Sequence, residues 1–338
     1  MDLLNRKKTG KVERPVKVLQ FGEGNFLRAF VDYMIDIANE QGKFNGDIVL
    51  VKPIEFGSLD RFHDQECQYT VQLRGIVDGE PKRINRIVTS VADAVDAYGE
   101  YQKYADYAKL DSLRYIVSNT TEAGIVYDDT DRLEMEPPKS YPGKLTKFLY
   151  ERYKHFNGAM DKGLVMLPVE LIDDNGIHLK ECVEKLAVLW NLEEGFKKWL
   201  DEACVFTSTL VDRIVTGYPR DEAEELCKEF GYQDNLIVTG EPFALWVIES
   251  AKDISKEFAL PDAGLPVIFT DNQKPYKQRK VRILNGAHTS FVLASYLCGN
   301  DIVLESMQDE LIFNFMKATI FDEVIPTLTL PKQDLIDF

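Results

Sequence analysis

The sequence predicts an α/β fold, a doubly wound parallel sheet followed by a mainly helical C-terminal domain. Short apolar runs typical of buried strands recur through the N-terminal part of the 338 residues, and stretches with helical periodicity lie between most of them. After Pro275 the patterns are helical. At roughly 100–200 residues per domain, the length favours two domains. We therefore expect residues 12–275 to form the α/β domain and residues 276–338 to form the helical one.

The predicted strands are short runs rich in branched aliphatic residues, and they lie at 16–21, 47–51, 113–117, 163–167 and 203–208. The predicted helices lie at 94–108, 144–156, 178–189 and 276–297. Residues 70–91 differ because polar and apolar residues alternate on both sides of Asp78-Gly79. That alternation predicts an antiparallel hairpin attached to the main sheet.

The composition excludes several classes of function. Forty Lys and Arg against 56 Asp and Glu give a net charge of −16, so the chain lacks the basic surface that nucleic acids or anionic membranes require. No run approaches the ~18 apolar residues of a membrane span, and the N-terminus lacks the apolar core of a secretory signal. Five cysteines without a CxxC pair indicate reduced thiols in a cytoplasm, and four scattered histidines indicate no metal site. We expect a small-molecule partner, and the oligomeric state is open.

A glycine turn follows the first predicted strand and precedes a helical pattern. The pyrophosphate of a dinucleotide binds at the N-terminus of such a helix, and glycines let the backbone approach it closely. The third glycine of the usual G-x-G-x-x-G is Leu27 here, and an ordinary tight turn is the alternative reading. The position after the first strand favours a Rossmann-type site. The residues predicted to bind the dinucleotide here are Phe21, Gly22, Glu23, Gly24, Asn25 and Phe26.

Polar residues follow other predicted strands, at the sheet edge where ligands bind in open parallel sheets. Residues 118–122 supply Asn119 and Thr120, which we expect to bind the cofactor. The residues expected to bind substrate are Glu170, Asp212 and Arg213. Each taken alone is more often a loop cap.

The second predicted strand ends in Lys52, where an acid that binds the ribose hydroxyls is expected. A lysine there could bind a 2′-phosphate or could simply be solvated. On these grounds the choice between NAD and NADP is open, and NADP is not excluded.

The predicted helix 276–297 carries Lys280, Asn285 and His288. At the α-helical rotation of about 100° per residue, Asn285 lies about 140° and His288 about 80° from Lys280. A lysine base, an amide that stabilises an alkoxide and a histidine that positions a hydroxyl suit hydride transfer at a secondary alcohol. The spacing alone favours the other reading, in which these residues are an exposed lysine, a capping asparagine and a core histidine.

Taken together, these residues resemble the polyol-specific long-chain dehydrogenase/reductase family. Its G-x-G-x-F-x-R-A segment corresponds to residues 22–29, its K-x-x-x-x-N-x-x-H motif to residues 280–288, and its V-D-R-I segment to residues 211–214. The resemblance implies an NAD-dependent oxidoreductase. It also implies that Lys280 acts as general acid/base, that Asn285 polarises the reacting oxygen and that His288 orients the substrate.

Segments 118–124 and 168–172 are most similar to family members that interconvert D-altronate and D-tagaturonate. Leu171 and Lys277 replace an asparagine and an acidic residue of the mannitol-specific members, which argues against a neutral polyol and allows a sugar acid. The alternatives are a fructuronate/mannonate reductase, a mannitol-type polyol dehydrogenase, or a non-catalytic cofactor-binding fragment. The last is considered because family members are longer and residues 330–338 read as the start of an element, so the helical domain is expected to be truncated.

Overall fold

The computed structural model of the chain describes residues 1–77, 79–121 and 123–338. Asp78 of the predicted hairpin turn and Glu122 of the predicted polar segment lie outside the described residues. The chain separates into two compact units, Met1–Phe269 and Thr270–Phe338. We expected the change of character after residue 275, and the division into units falls before it.

The strands of the described residues are β1 (Val16–Phe21), β2 (Asp47–Lys52), β3 (Tyr69–Val77), β4 (Glu80–Val88), β5 (Val91–Asp96), β6 (Tyr115–Ser118), β7 (Val165–Pro168), β8 (Val205–Phe206), β9 (Ser208–Asp212), β10 (Val215–Gly217), β11 (Val238–Gly240), β12 (Leu245–Glu249) and β13 (Val267–Thr270). Six of them form one sheet in the order β5-β2-β1-β6-β7-β8. Every neighbouring pair in it is parallel. The predicted doubly wound parallel sheet is therefore confirmed, and its order reverses between β1 and β6.

The α-helices of the first unit are α1 (Arg6–Thr9), α2 (Asn25–Leu27), α3 (Tyr33–Glu40), α4 (Asp60–Asp64), α5 (Tyr101–Asp106), α6 (Tyr141–His155), α7 (Asn175–Leu189), α8 (Glu194–Glu202) and α9 (Ala223–Phe230). A π-helical segment, Arg28–Asp32, joins α2 to α3. Single 3-10 turns lie at Tyr107–Lys109, Met160–Lys162 and Pro261–Ala263.

The second unit is helical, as predicted. Its α-helices are α10 (Lys274–Arg279), α11 (Gly286–Leu297), α12 (Val303–Gln308), α13 (Glu310–Ala318) and α14 (Lys332–Ile336). π-helical segments lie at Lys280–Asn285 and Thr319–Val324, and a 3-10 turn lies at Ile325–Thr327. No helix among the described residues is long and apolar enough to cross a membrane.

Three predictions about elements were wrong in part. Residues 94–96 belong to β5, and the helix predicted to start there begins only at Tyr101, because Ala94 and Val95 are fully buried beside β2. The strand predicted over 203–208 divides into β8 and β9, and β9 pairs with β12 in a separate sheet. The hairpin β3–β4 forms, but it belongs to a second sheet, β10-β11-β3-β4, and not to the main one.

The main sheet is covered on both faces by apolar clusters. On one face, Phe30 packs against Trp246 with ring centroids 5.5 Å apart, in a cluster with Met34 and Phe258. On the other face, α6 and α7 pack through residues such as Phe148 and Leu179. Coverage of both faces explains why β2 is buried along its whole length and why residues 48–51 form a continuous apolar run.

One acid lies inside the first of these clusters. Asp32 and Tyr69 are both fully buried, and the Tyr69 hydroxyl donates to Asp32 Oδ2 at 2.7 Å. Burial disfavours the carboxylate and raises the pKa of Asp32 from 3.8 to about 7. The folded chain therefore holds a proton that the unfolded chain releases near pH 4.

We predict that Asp32→Asn flattens the pH dependence of stability. The stabilising contribution of a protonated Asp32 is fully present below the unfolded pKa and is lost as the pH rises through about 7. Between about pH 4 and pH 7, the wild-type free energy of unfolding should fall relative to that of the variant by up to about 1.4 kcal/mol per pH unit. Urea unfolding across this range measures it, with exposed Asp64→Asn as the control. Parallel curves for wild type and Asp32→Asn would contradict the prediction.

Candidate active site

A cavity of about 470 Å³ lies where the order of the main sheet reverses, at the carboxyl ends of β1, β2 and β6. Crevices at this position are where open α/β sheets bind ligands. The turn after β1, the loops after β2 and β6, and the start of α6 supply its lining. The lining residues are Gly22, Glu23, Gly24, Pro53, Ile54, Asn119, Thr120, Thr121, Ala123, Gly124, Val126, Asp128, Lys139, Ser140 and Tyr141.

The fold itself requires glycine at position 22, whether or not a ligand is bound. Its φ is +119°, and a Cβ added there would lie 3.1 Å from the Asn119 carbonyl oxygen and 3.2 Å from Leu27 Cδ1. The N–H of Gly22 donates to the Val51 carbonyl at 3.0 Å, and the N–H of Asn119 donates to the Phe21 carbonyl at 3.1 Å. Only glycine tolerates this backbone conformation and this approach of two loops.

The fold does not require glycine at position 24. Its φ is −67°, and a Cβ added there would meet no atom within 4 Å. It precedes the helix that begins at Asn25, whose first N–H groups have no partner in their own helix. The open space at Gly24 is thus a cradle that a side chain would fill and a pyrophosphate can enter. The residues of this turn fit a dinucleotide.

Arg28 lies behind the turn. It is buried, donates to the Leu236 carbonyl at 2.6 Å and to Asn25 Oδ1 at 2.6 Å, and lies 5.2 Å from the centre of the Tyr69 ring. Asn25 Oδ1 is therefore held by Arg28, and the binding of the cofactor by Asn25 stays a prediction. Phe26 stacks on Phe30 at 5.0 Å.

Glu170 organises the loop after β6. The carboxylate is almost fully buried and accepts hydrogen bonds from Ser118 Oγ at 3.1 Å, from the N–H of Thr120 at 3.0 Å and from Thr120 Oγ1 at 2.9 Å. Burial raises its pKa, although the hydrogen bonds oppose that shift. These contacts place Glu170 beside the loop after β6, which carries the predicted site residues Asn119 and Thr120. They give Glu170 a part in shaping the cavity.

Lys52 is neither solvated nor available to a phosphate. Its side chain is 1% exposed, and its ammonium pairs with Asp96 at 3.1 Å. It also donates to the carbonyls of Ile54, Glu55 and Phe56, at 2.8, 3.4 and 3.3 Å. Lys52 therefore holds the loop after β2, a role that the pattern of the strand did not indicate.

Asp212 ends β9, and Arg213 begins the loop that follows. Arg213 is buried, and it donates to the carbonyls of Phe243 at 3.0 Å, Ala29 at 2.6 Å and Pro242 at 3.1 Å. These contacts join β9 to the helix after the glycine turn. They do not favour the predicted contact of Arg213 with substrate, because all three guanidinium nitrogens are engaged.

Lys280, Asn285 and His288 lie in the second unit, on a continuous helix from Lys274 to Leu297. The expectation of uniform α-helical rotation was wrong, because Lys280–Asn285 is π-helical. In such a segment the hydrogen bonds link residues five apart, as from the N–H of Gly286 to the carbonyl of Val281. Lys280 and Asn285 consequently come closer around the axis than the expected angle of about 140°.

His288 is exposed, and its Nδ1 lies 3.1 Å from the Leu284 carbonyl. A carbonyl only accepts, so Nδ1 carries the proton in this contact. The neutral ring then offers Nε2 as an acceptor. No group of three or more potential metal-ligating side chains occurs in residues 1–77, 79–121 and 123–338.

Sequence reasoning missed the residues at the start of α6. Lys139, Ser140 and Tyr141 line the cavity, and Ser140 Oγ accepts from the N–H of Gly143 at 2.9 Å as the helix cap. Serine at the cap with proline at the first turn predicts this helix start. The proximity of this helix start to the glycine turn depends on how the long connection after β6 folds.

Two models of one family match the chain in tandem, the Mannitol dehydrogenase Rossmann domain over residues 16–262 and the Mannitol dehydrogenase C-terminal domain over residues 272–338. An altronate oxidoreductase of Phocaeicola vulgatus is 44% identical over 338 residues, covering 100% of this chain and 71% of its own length. Another, of Pectobacterium atrosepticum, is 47% identical over 339 residues, covering 100% of this chain and 70% of its own.

Among solved structures, the mannitol 2-dehydrogenase of Pseudomonas fluorescens, in a ternary complex with NAD and D-mannitol, shares the fold. It has a TM-score of 0.76 and 23% identity, covering 100% of this chain and 73% of that one. At that identity the similarity concerns the fold alone. Both family models and the high identity over the whole length establish that the chain belongs to the mannitol dehydrogenase family.

Proposed function

We propose that this chain interconverts D-altronate and D-tagaturonate by NAD(H)-dependent hydride transfer. The observation that carries the proposal is that relatives named altronate oxidoreductase match the entire chain at 44% and 47% identity. These names favour it over the fructuronate, polyol and non-catalytic alternatives. The family and its Rossmann domain indicate a nicotinamide dinucleotide cofactor. The unpaired cysteines, four of them buried, support a proposed cytoplasmic location.

The choice of NAD rests on the end of β2. Lys52, the cation that ends this strand, is occupied by Asp96 and by loop carbonyls, so it has no free donor for a 2′-phosphate. Breaking those contacts would leave the buried Lys52 ammonium without its partners and would separate it from Asp96, which is costly. A cofactor without the additional phosphate avoids that cost.

The chemistry is proposed for Lys280, Asn285 and His288. The dinucleotide supplies the hydride donor or acceptor when bound. Lys280 Nζ takes the hydroxyl proton of altronate during oxidation and returns it during reduction. The Asn285 amide donates to the same oxygen and stabilises its developing negative charge. His288 Nε2 accepts a hydrogen bond from a neighbouring substrate hydroxyl, because Nδ1 is held by Leu284.

A sugar acid needs local cations on a chain with a charge of −16. Lys274, Lys277 and Arg282 lie around a pocket of about 270 Å³ in the second unit, on the helix that carries Lys280. We propose these three for the substrate carboxylate in place of Arg213. Glu170 and Asp212 remain proposed site residues. Glu170 supports the loop after β6, and Asp212 ends β9.

We predict that Gly24→Val weakens NADH binding at least about tenfold with little loss of stability, because its side chain enters only the space of the pyrophosphate. Fluorescence titration and thermal melting measure the two effects. Gly22→Ala is the matched control, and it should lower the free energy of unfolding by about 1–3 kcal/mol because of its positive φ. Unchanged NADH affinity in Gly24→Val would remove the dinucleotide from this turn.

We predict that Lys280→Ala lowers kcat by about 10²–10⁴-fold and leaves NADH binding intact, since the lysine transfers only a proton. Lys280→Arg should not rescue the rate, because guanidinium does not release a proton near neutral pH. Initial rates with tagaturonate and NADH measure it. Lys317→Ala, an exposed lysine of the same unit, is the control. Near-normal turnover of Lys280→Ala would disprove the mechanism.

We predict that Lys277→Gln and Arg282→Gln raise KM for tagaturonate far more than for fructose, which lacks the carboxylate. Arg213→Gln should instead lower the melting temperature, since it leaves buried carbonyls without donors. Steady-state kinetics with both ketoses separate the cases. Equal effects on both substrates would exclude a carboxylate subsite at these residues.

A further inference from the structure

Glu23 lies between the two glycines of the turn after β1, and it lines the cavity. Its side chain is half-buried, so water only partly solvates the carboxylate. The backbone N–H of Glu23 itself donates to that carboxylate. In the described part of the chain no other side chain hydrogen-bonds it, so most of its lone pairs are available to a ligand.

The charges around Glu23 place it on the side of the cavity next to β2. Burial raises the pKa of Glu23 and outweighs the attraction of Lys52 and Arg28 for its carboxylate, while Asp96 repels the carboxylate. Lys52 is engaged with Asp96 and with the loop carbonyls, and Arg28 with Leu236 and Asn25. Lys52 has no free donor for a bound phosphate, and the two engaged nitrogens of Arg28 are held by protein oxygens.

A dinucleotide bound at the glycine turn places its adenosine ribose near the end of β2. In such sites an acid at that strand end accepts hydrogen bonds from the ribose hydroxyls, but this chain has the buried Lys52 there. We propose that Glu23 takes over this role from the neighbouring turn, so that it binds the adenosine ribose hydroxyls of NAD(H) and excludes the 2′-phosphate of NADP(H).

Glu23 has the chemistry for both effects. Two neighbouring hydroxyls donate to one carboxylate, and such charge-assisted hydrogen bonds are about twice as strong as neutral ones. A 2′-phosphate in the same place offers no proton to donate and carries negative charge toward Glu23 and Asp96. Discrimination therefore comes from attraction of one cofactor and repulsion of the other.

The inference rests on the proposed NAD(H) site, and direct binding tests it without turnover. Dissociation constants for NADH and NADPH are measured by fluorescence titration on wild type, Glu23→Gln and Glu55→Gln. Glu55 is the matched control because it is an exposed acid of the loop after β2. Glutamine keeps the size of the side chain and removes its charge.

We expect Glu23→Gln to narrow the preference for NADH over NADPH by at least about tenfold, through weaker NADH and tighter NADPH binding. Glu55→Gln should change the ratio less than twofold. Glu23→Ala should narrow the preference in the same way and serves as the second variant if Glu23→Gln does not fold.

An unchanged ratio in Glu23→Gln, with both cofactors still binding, would overturn the assignment of Glu23 and leave the proposed function intact. If only Glu55→Gln narrowed the preference for NADH over NADPH, that result would also overturn the assignment of Glu23. The discrimination between the two cofactors would then lie in the loop after β2. Failure of wild type to bind either dinucleotide would overturn the proposed function itself, and the inference with it.

Discussion

The close approach of Gly22 to the Asn119 carbonyl is the constraint on which the candidate cofactor site depends. The two strands that precede these residues, β1 and β6, are neighbours at the point where the sheet order reverses. A side chain at Gly22 would force the loops apart. Because the Gly22 N–H also binds Val51, one turn sets the relation of three strand ends to the cavity.

Buried charges hold the loops around that cavity. Arg28, Lys52 and Arg213 each donate to backbone carbonyls, and Glu170 accepts from an N–H and two hydroxyls. Burying a charge is costly unless its hydrogen bonds are made, and loops offer many unpaired backbone groups. Each of these charges fixes the positions of several loop atoms at once. This arrangement shapes the site through residues that do not themselves need to contact a ligand.

Of the three π-helical segments in the described residues, two lie where function is proposed, and the third is Thr319–Val324. The π-helical segment Arg28–Asp32 follows the glycine turn, and Lys280–Asn285 carries two proposed catalytic residues. π-Segments are rare and frequent at functional sites, because the added residue shifts the side chains that follow around the axis. In the first segment the shift accompanies a buried Arg28 and a buried Asp32, and in the second it brings Lys280 toward Asn285.

The sequence by itself determined the class of fold, the glycine turn and the family motifs, because strand and helix periodicity and special residues such as Gly22 are local properties. It also predicted Lys280, Asn285 and His288 as a catalytic set. Only the tertiary structure decided that Lys52 is buried and paired, that Arg213 binds carbonyls, and that the hairpin β3–β4 joins a second sheet. Those outcomes depend on which distant backbone atoms approach a side chain or a strand edge, and residue spacing along the chain carries no information about that approach.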